Sequence, residues 1–122
     1  MQNIISWFEI PAVNFERAVN FYQTLLSIEI VQQEVLGTRM GFFPSNENIV
    51  SGAVVQGDDY SPASDGVLVY LNGGQDLQTI MDKVENAKGK ILVPKTLISE
   101  KMGYFGIFID TEGNKMAVHS KN

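Results

Sequence analysis

The chain contains no cysteine among its 122 residues. This absence excludes disulfide bonds, cysteine nucleophiles and zinc–thiolate sites, and it suits a reducing compartment. Apolar runs fall well short of the ~18 residues that a membrane-spanning helix needs, and the amino terminus lacks the basic region and apolar run of a secretory signal. We therefore predict a cytoplasmic protein with no membrane partner.

Basic residues are scarce and dispersed. Nine lysines and arginines stand against 14 aspartates and glutamates, so the net charge is −5 and the isoelectric point is about 4.7. A protein that neutralises a phosphate backbone needs a cationic stripe or patch, which this sequence does not offer. We therefore predict no nucleic-acid partner, and the acidic balance mainly favours solubility.

What the chain does have is an internal repeat. In both copies a strand of alternating residues, 4–10 or 66–71, leads through a turn into an amphipathic helix, 14–26 or 75–88. Each helix has an apolar stripe with i, i+3, i+4, i+7 spacing, and the second stripe follows the first by about 60 positions. The stripes comprise Phe15, Ala18, Val19, Tyr22 and Leu25 in the first helix, and Leu77, Ile80, Met81, Val84 and Ala87 in the second.

Three further strand-like stretches follow each helix, so the chain is predicted to have the order βαβββ-βαβββ. These stretches are 29–35, 38–43 and 49–55 in the first half, and 90–98, 103–110 and 115–120 in the second. We predict one α+β domain over 1–122, in which two βαβββ modules form a curved mixed sheet around a shared cleft, with the helices outside.

The half-modules span about 1–56 and 65–122, and the Gly-, Asp-, Ser- and Pro-rich segment between them is the connector. Gly89 is expected to end the second helix with a positive φ. Pro94 cannot donate to a sheet, so its strand is expected at an edge or with a bulge.

Two segments carry a resemblance to a known family. They are Trp7-Phe8-Glu9-Ile10-Pro11, leading into the helix with Phe21-Tyr22, and the stretch from Gly103 to Asn114 near the end of the chain. In this order and on this repeat they resemble the vicinal oxygen chelate superfamily, which contains glyoxalase I, bleomycin-resistance proteins and extradiol dioxygenases. The resemblance covers essentially the whole chain, and it implies a small-molecule ligand and a homodimer.

The metal enzymes of that superfamily hold a divalent ion with one ligand on each of four strands. The resemblance places these ligand positions at Trp7, Val67, Ala117 and near Gly52 or Ala53. None of these side chains can bind a divalent ion. We therefore expect the usual metal site to be missing and predict no cofactor, while a divalent metal at a displaced site stays open.

The candidate ligand-binding residues are Trp7, Val67, Val69 and Ala117, which would line the cleft. Trp7 either forms an aromatic wall of that cleft or plugs it as core. Glu9 and His119 lie two residues beyond Trp7 and Ala117 on the same strand faces, so both should point toward one cavity. They are the candidate catalytic residues, because a carboxylate beside the single histidine can form a general base. The alternative is a half-exposed strand carboxylate and a solvated histidine.

Two functions follow from these residues. The first is a glyoxalase- or bleomycin-resistance-like protein that binds a small organic molecule without the usual metal site. The second is a lyase or isomerase of the same superfamily that uses Glu9 and His119, with or without a displaced metal. Tyr70, Tyr104 and Arg39 are secondary candidates, and Glu112-Gly113-Asn114 is interpreted as a turn.

Overall fold

The computed structural model describes residues 3–122, which form eight strands and two helices. Within this range, neither helix is long and apolar enough to cross a membrane. The element order confirms the predicted βαβββ repeat. The elements are β1 (Trp7–Pro11), α1 (Phe15–Leu26), β2 (Val31–Val35), β3 (Thr38–Phe42), β4 (Ser51–Gln56), β5 (Tyr70–Asn72), α2 (Gln78–Val84), β6 (Lys90–Ser99), β7 (Gly103–Ile109) and β8 (Lys115–Ser120).

The strands form two four-stranded mixed sheets with the same internal order. The first has the order β1-β4-β3-β2 and the second β5-β8-β7-β6. In each sheet the first strand of the half pairs in parallel with the last strand, and the remaining pairs are antiparallel. This arrangement confirms the predicted α+β class with two βαβββ modules.

Helix α1 begins and ends close to its predicted limits. Asn14 is its N-cap, and the Asn14 side chain accepts a hydrogen bond from the backbone N–H of Arg17 at 3.1 Å. An N-cap of this kind satisfies one of the free amides of the first turn. The predicted stripe is fully buried, together with Phe21. Helix α1 is therefore held both by its cap and by its packing against the core.

Helix α2 is shorter than predicted. Gly74 has a φ of +71°, and the Asp76 carboxylate accepts from the N–H of Gln78, so the helix cannot begin at residue 75. At the other end Lys88, not Gly89, adopts the left-handed conformation, with a φ of +81°. Gly89 is required for space instead, because a Cβ there would lie 2.7 Å from the Phe21 ring and 2.8 Å from a backbone oxygen.

Strand β6 behaves as its proline indicates. It lies at the edge of the second sheet, and its pairing with β7 shifts register between Val93 and Thr96, on either side of Pro94. Strands β1 and β5 start later than predicted, because residues 4–6 and 66–69 form no ladder.

One hydrophobic core extends across both halves and contains residues of both helices. A buried carboxylate network joins the halves beside it. Glu112 accepts hydrogen bonds from the backbone N–H groups of Val13 and Asn14 at 2.9 and 2.7 Å, and from Arg17 Nε at 2.7 Å. Burial alone would raise the pKa of Glu112, but the hydrogen bonds from Arg17, Asn14 and Thr111 outweigh it and lower that pKa.

Asp110 forms the second part of this network. Its carboxylate accepts from the Tyr22 hydroxyl at 2.7 Å and from the backbone N–H groups of Glu112 and Asn114 at 2.8 and 2.9 Å. Asn114 in turn donates to the Pro11 carbonyl at 2.8 Å. Burial, with the nearby Asp110 charge, raises the pKa of Tyr22 well above its usual value, so Tyr22 stays a proton donor. The β7–β8 turn thus connects the second half to the start of α1.

Candidate functional site

A cavity of about 880 Å³ opens on the face of the second sheet that is turned away from α2. Strand pairing builds it, because Asn72, His119 and Phe105 are register partners on three adjacent strands and therefore share one face. Its walls are mostly apolar, with a few polar groups among them. The lining residues are Tyr70, Leu71, Asn72, Gly74, Ile98, Met102, Phe105, His119, Ser120 and Lys121.

His119 is the titratable group with acid–base chemistry near neutral pH in this cavity. Its Nε2 lies 2.6 Å from the backbone carbonyl oxygen of Met102. A carbonyl oxygen can only accept, so Nε2 carries the proton and donates it. In the neutral imidazole the lone pair is then on Nδ1. His119 can therefore accept a hydrogen bond or a proton through Nδ1.

The corresponding face of the first sheet carries an aromatic and acidic group of side chains. Trp7 is 41% exposed, its ring lies 6.0 Å from the Phe42 ring, and its indole N–H donates to the Glu9 carboxylate at 3.3 Å. The Glu9 carboxylate also lies close to the Tyr60 hydroxyl, and its acceptor oxygens and its charge raise the pKa of Tyr60. Trp7 thus lies on the open face, while Phe8 packs on the core side.

Val67 and Val69 were predicted to line the cleft, but the structure places them elsewhere. Val67 lies outside β5 and is 93% exposed, and Val69 packs against the hydrophobic core. The reason is the register of β5, in which Tyr70 lies opposite Ala117 and Leu71 opposite Val118. Tyr70, a secondary candidate, therefore occupies the open face where Val67 and Val69 were expected.

Ala117 and Ala53 lie in equivalent places, as the third residue of β8 and of β4, and both are fully buried. They offer no donor atom at two of the positions where the resemblance places metal ligands. Trp7 and Val67 offer none at the other two. No group of three or more His, Asp or Glu side chains within residues 3–122 could hold a metal ion. The residues present therefore do not fit the divalent ion of the metal enzymes.

Glu9 and His119 do not hydrogen-bond to each other within the described part of one chain. Glu9 lies on the first sheet with Trp7 and Tyr60, whereas His119 lies on the second sheet with Met102. Each lies on the open face of its own sheet, but the two positions are not equivalent, because Glu9 pairs with Ala53 and its counterpart in the second half is Tyr70, which pairs with Ala117.

Sequence reasoning missed several residues of these two faces. Ile98, Met102 and Phe105 line the cavity, and Phe42 and Tyr60 border Trp7 and Glu9. The alternation of β7 could have placed Phe105 on the same face as Ile107. No sequence pattern identified Tyr60, because it lies in the connector, which has no periodicity. Its place near Glu9 is visible only in the structure.

Three solved structures with a similar fold cover nearly the whole chain. A glyoxalase/bleomycin resistance protein/dioxygenase domain from Frankia sp. EAN1pec aligns with a TM-score of 0.76 at 10% identity, over 100% of both chains. The fosfomycin resistance protein FosX from Listeria monocytogenes aligns with a TM-score of 0.69 at 13% identity, over 100% of this chain and 94% of FosX. An antibiotic-binding protein from a Streptomyces species aligns with a TM-score of 0.67 at 16% identity, over 98% and 97%.

At these identities the likenesses show the fold alone. Among curated proteins, none matches this sequence significantly. A sequence model of one family, described as the Glyoxalase/Bleomycin resistance protein/Dioxygenase superfamily, matches residues 4–118. Because that match spans nearly the whole chain, and the two βαβββ modules agree with it, the chain belongs to the Glyoxalase/Bleomycin resistance protein/Dioxygenase superfamily.

Proposed function

We propose that this protein binds a small organic molecule in the cytoplasm, without the metal site of the superfamily's metal enzymes. The observation that carries the proposal is the cavity on the second sheet. Its volume of about 880 Å³ is within the range of small-molecule sites, and its walls combine apolar side chains with a few polar groups. The FosX and antibiotic-binding neighbours support this class of function by their names.

The binding proposal is tested with a thermal-shift screen of small molecules, including antibiotics. A ligand present at a hundredfold excess over its Kd should stabilise the protein by about 2.7 kcal/mol. Ile98→Ala removes an apolar wall of the cavity and should abolish most of the shift. Leu92→Ala is the matched control, because Leu92 lies on the same strand with similar exposure, 45% against 41%, outside the cavity. Equal shifts in both variants would place the ligand elsewhere.

We further propose a homodimer, as the resemblance to the superfamily implies. Large apolar side chains are exposed on the open face of each sheet and along the cavity rim, among them Trp7, Tyr70, Ile98 and Met102. Exposed apolar groups of this kind are typical of interaction surfaces. The molecular mass in solution, measured by light scattering over a range of concentrations, tests the assembly, and a monomer at every concentration would contradict it.

A second candidate function is a lyase or isomerase of the same superfamily. The favouring observation is the tautomer of His119, whose Nδ1 is left as a proton acceptor by the Nε2–Met102 hydrogen bond. Glu9 is the second proposed proton-transfer group, although it is not among the residues that line the cavity containing His119. The chemistry is then proton transfer, with or without a metal at a displaced site.

Metal analysis and activity separate the two candidates. The binding proposal expects no stoichiometric Zn, Ni, Mn or Fe after purification without chelator, and no glyoxalase I activity, because Trp7 and Ala117 occupy ligand positions. Near-equimolar metal retained after dialysis would favour the enzyme. The variants Glu9→Gln and His119→Gln should then each remove the metal, and unchanged metal content would place that ion elsewhere.

A further inference from the structure

The carboxylate of Glu9 lies on the open face of the first sheet without a basic partner. Within residues 3–122 no lysine, arginine or histidine nitrogen lies within 4.0 Å of it. It accepts a hydrogen bond from the indole N–H of Trp7 at 3.3 Å, and the neutral Tyr60 hydroxyl is close enough to Glu9 for the pKa of Tyr60 to be raised. An ionised carboxylate has about four acceptor positions. Because Glu9 is exposed, its remaining acceptor positions are accessible to a ligand.

Two aromatic rings form a corner beside that carboxylate. The planes of Trp7 and Phe42 are tilted by 53° to each other, and their centroids are 6.0 Å apart. Strand pairing fixes this arrangement, because Glu9, Ala53 and Phe42 are register neighbours on three adjacent strands. Ala53 is small and fully buried, so the larger side chains on either side of it form the exposed surface here. The indole is oriented further by its hydrogen bond to Glu9.

The electrostatic surroundings are negative. Asp59 in the connector is close enough to contribute to the raised pKa of Tyr60, and both Asp58 and Asp59 are exposed. The nearest ring faces are also regions of negative potential, since an aromatic quadrupole presents its negative face. An anion would be repelled here. A neutral ligand would leave the Glu9 carboxylate with unfilled acceptor positions.

We propose that the corner formed by Trp7 and Phe42, with Glu9 at its edge, recognises an organic ammonium group. Aromatic faces combined with a carboxylate bind such a cation through cation–π attraction and charge neutralisation at the same time. This inference goes beyond the proposed binding function, because Trp7, Phe42 and Glu9 are not among the residues that line the cavity on the second sheet. The cavity on the second sheet is not needed for this recognition.

The experiment compares choline with its neutral isostere 3,3-dimethylbutan-1-ol, in which carbon replaces the charged nitrogen. The protein contains a single tryptophan, so the intrinsic emission reports on Trp7 alone. With ionic strength held constant by NaCl, choline should change that emission saturably and bind about tenfold more tightly than the isostere. Equal binding of both compounds, or no saturable change with choline, would overturn the proposal.

Two variants and one matched control test which residues bind choline. Glu9→Gln keeps the size of the side chain but removes its charge, and Phe42→Leu removes one ring; each should weaken choline binding by about threefold or more. Glu34→Gln is the control, because Glu34 is an exposed strand carboxylate on the opposite face of the same sheet. Choline affinity that is unchanged in Glu9→Gln, or lowered equally in Glu34→Gln, would contradict the assignment.

The two proposals fail in distinguishable ways. If neutral aromatic compounds bind and their thermal shift is lost in Ile98→Ala, while choline gives no signal, the binding function stands and the ammonium site is wrong. If choline changes the Trp7 emission and Glu9→Gln abolishes the change, the ammonium site stands whatever occupies the cavity. If no compound shifts either the melting temperature or the emission, both proposals are wrong.

Discussion

The two halves of the molecule have one topology but different chemistry. Each half has the same strand order, and the third residue of its last strand is a buried alanine, Ala53 or Ala117. Opposite that alanine lies Glu9 in the first half and Tyr70 in the second. The repeat therefore preserves the backbone pairing and the buried alanine, while the residue that pairs with this alanine differs between the halves.

The turns of the two halves differ just as clearly. Residues 44–50 between β3 and β4 are exposed, whereas the turn between β7 and β8 carries the buried Asp110, Glu112 and Asn114. Only the latter turn hydrogen-bonds across to the other half at the start of α1. Of the two equivalent turns, the one between β7 and β8 therefore links the two halves. This difference can be tested by substitution.

The largest expected effect comes from breaking that link. Glu112→Gln keeps the shape but removes the charge that accepts from two backbone amides and Arg17, so the free energy of unfolding should fall by about 3 kcal/mol. Glu47→Gln, in the exposed turn of the first half, is the control and should change it by less than about 0.5 kcal/mol. Urea denaturation measures both, and equal losses would show that the link is not important for stability.

A smaller effect is expected at two equivalent glycines, each of which faces the helix of its own half. Gly41 and Gly106 are equivalent, since they pair with Val54 and Val118. A Cβ at Gly41 would lie 2.8 Å from Ile30 and 3.2 Å from Val19, whereas at Gly106 the nearest atoms belong to the flexible Met81 side chain.

Gly41→Ala should therefore cost about 2 kcal/mol, and Gly106→Ala less than about 1 kcal/mol, because Met81 can move aside. Thermal and urea unfolding of the two variants provide the comparison. A larger loss for Gly106→Ala would mean that the packing of α2 is the more rigid of the two.

Acid should weaken the link between the halves by a smaller amount. The pKa of Glu112 is lowered in the folded state, so its contribution is fully present above the ordinary glutamate range near 4.3 and is lost as pH falls through the folded pKa. The difference in stability between the unmodified protein and Glu112→Gln should shrink as pH falls below 4.3. A difference that stays constant from pH 7 to pH 3 would contradict the lowered pKa.

The smallest expected effect is a change in the pKa of Tyr60, which lies beside Glu9 on the open face of the first sheet and, among residues 3–122, has no counterpart on the second. Glu9→Gln removes the charge beside Tyr60, so the raised pKa of Tyr60 should fall toward its ordinary value near 10. The absorbance of tyrosinate during an alkaline titration measures it, with Tyr60→Phe identifying the component. The control Glu34→Gln should leave the titration unchanged, and a shift there would indicate a general charge effect.

The sequence was sufficient for the fold and for part of the site. The stripe through Phe15, Tyr22 and Leu25 has helical periodicity and is buried as predicted, and Pro94 marked the edge strand. Val67 and Val69 were misplaced because the register of β5 depends on its pairing with β8, which a short apolar run does not reveal. Glu112 was interpreted only as part of a turn, and its hydrogen bonds to Val13, Asn14 and Arg17 were missed because those partners lie near the other end of the chain.

The parallel pairing in each half has a consequence for folding kinetics. Trp7 meets Ser51, and Tyr70 meets Ala117, so each sheet closes only after nearly all of its own half has been ordered. Closing such a long loop lowers the chain entropy before the stabilising contacts between the strands have formed. Chains dominated by non-local pairing therefore fold in about milliseconds to seconds. We expect refolding on this timescale, with the two halves ordering together because they share one hydrophobic core.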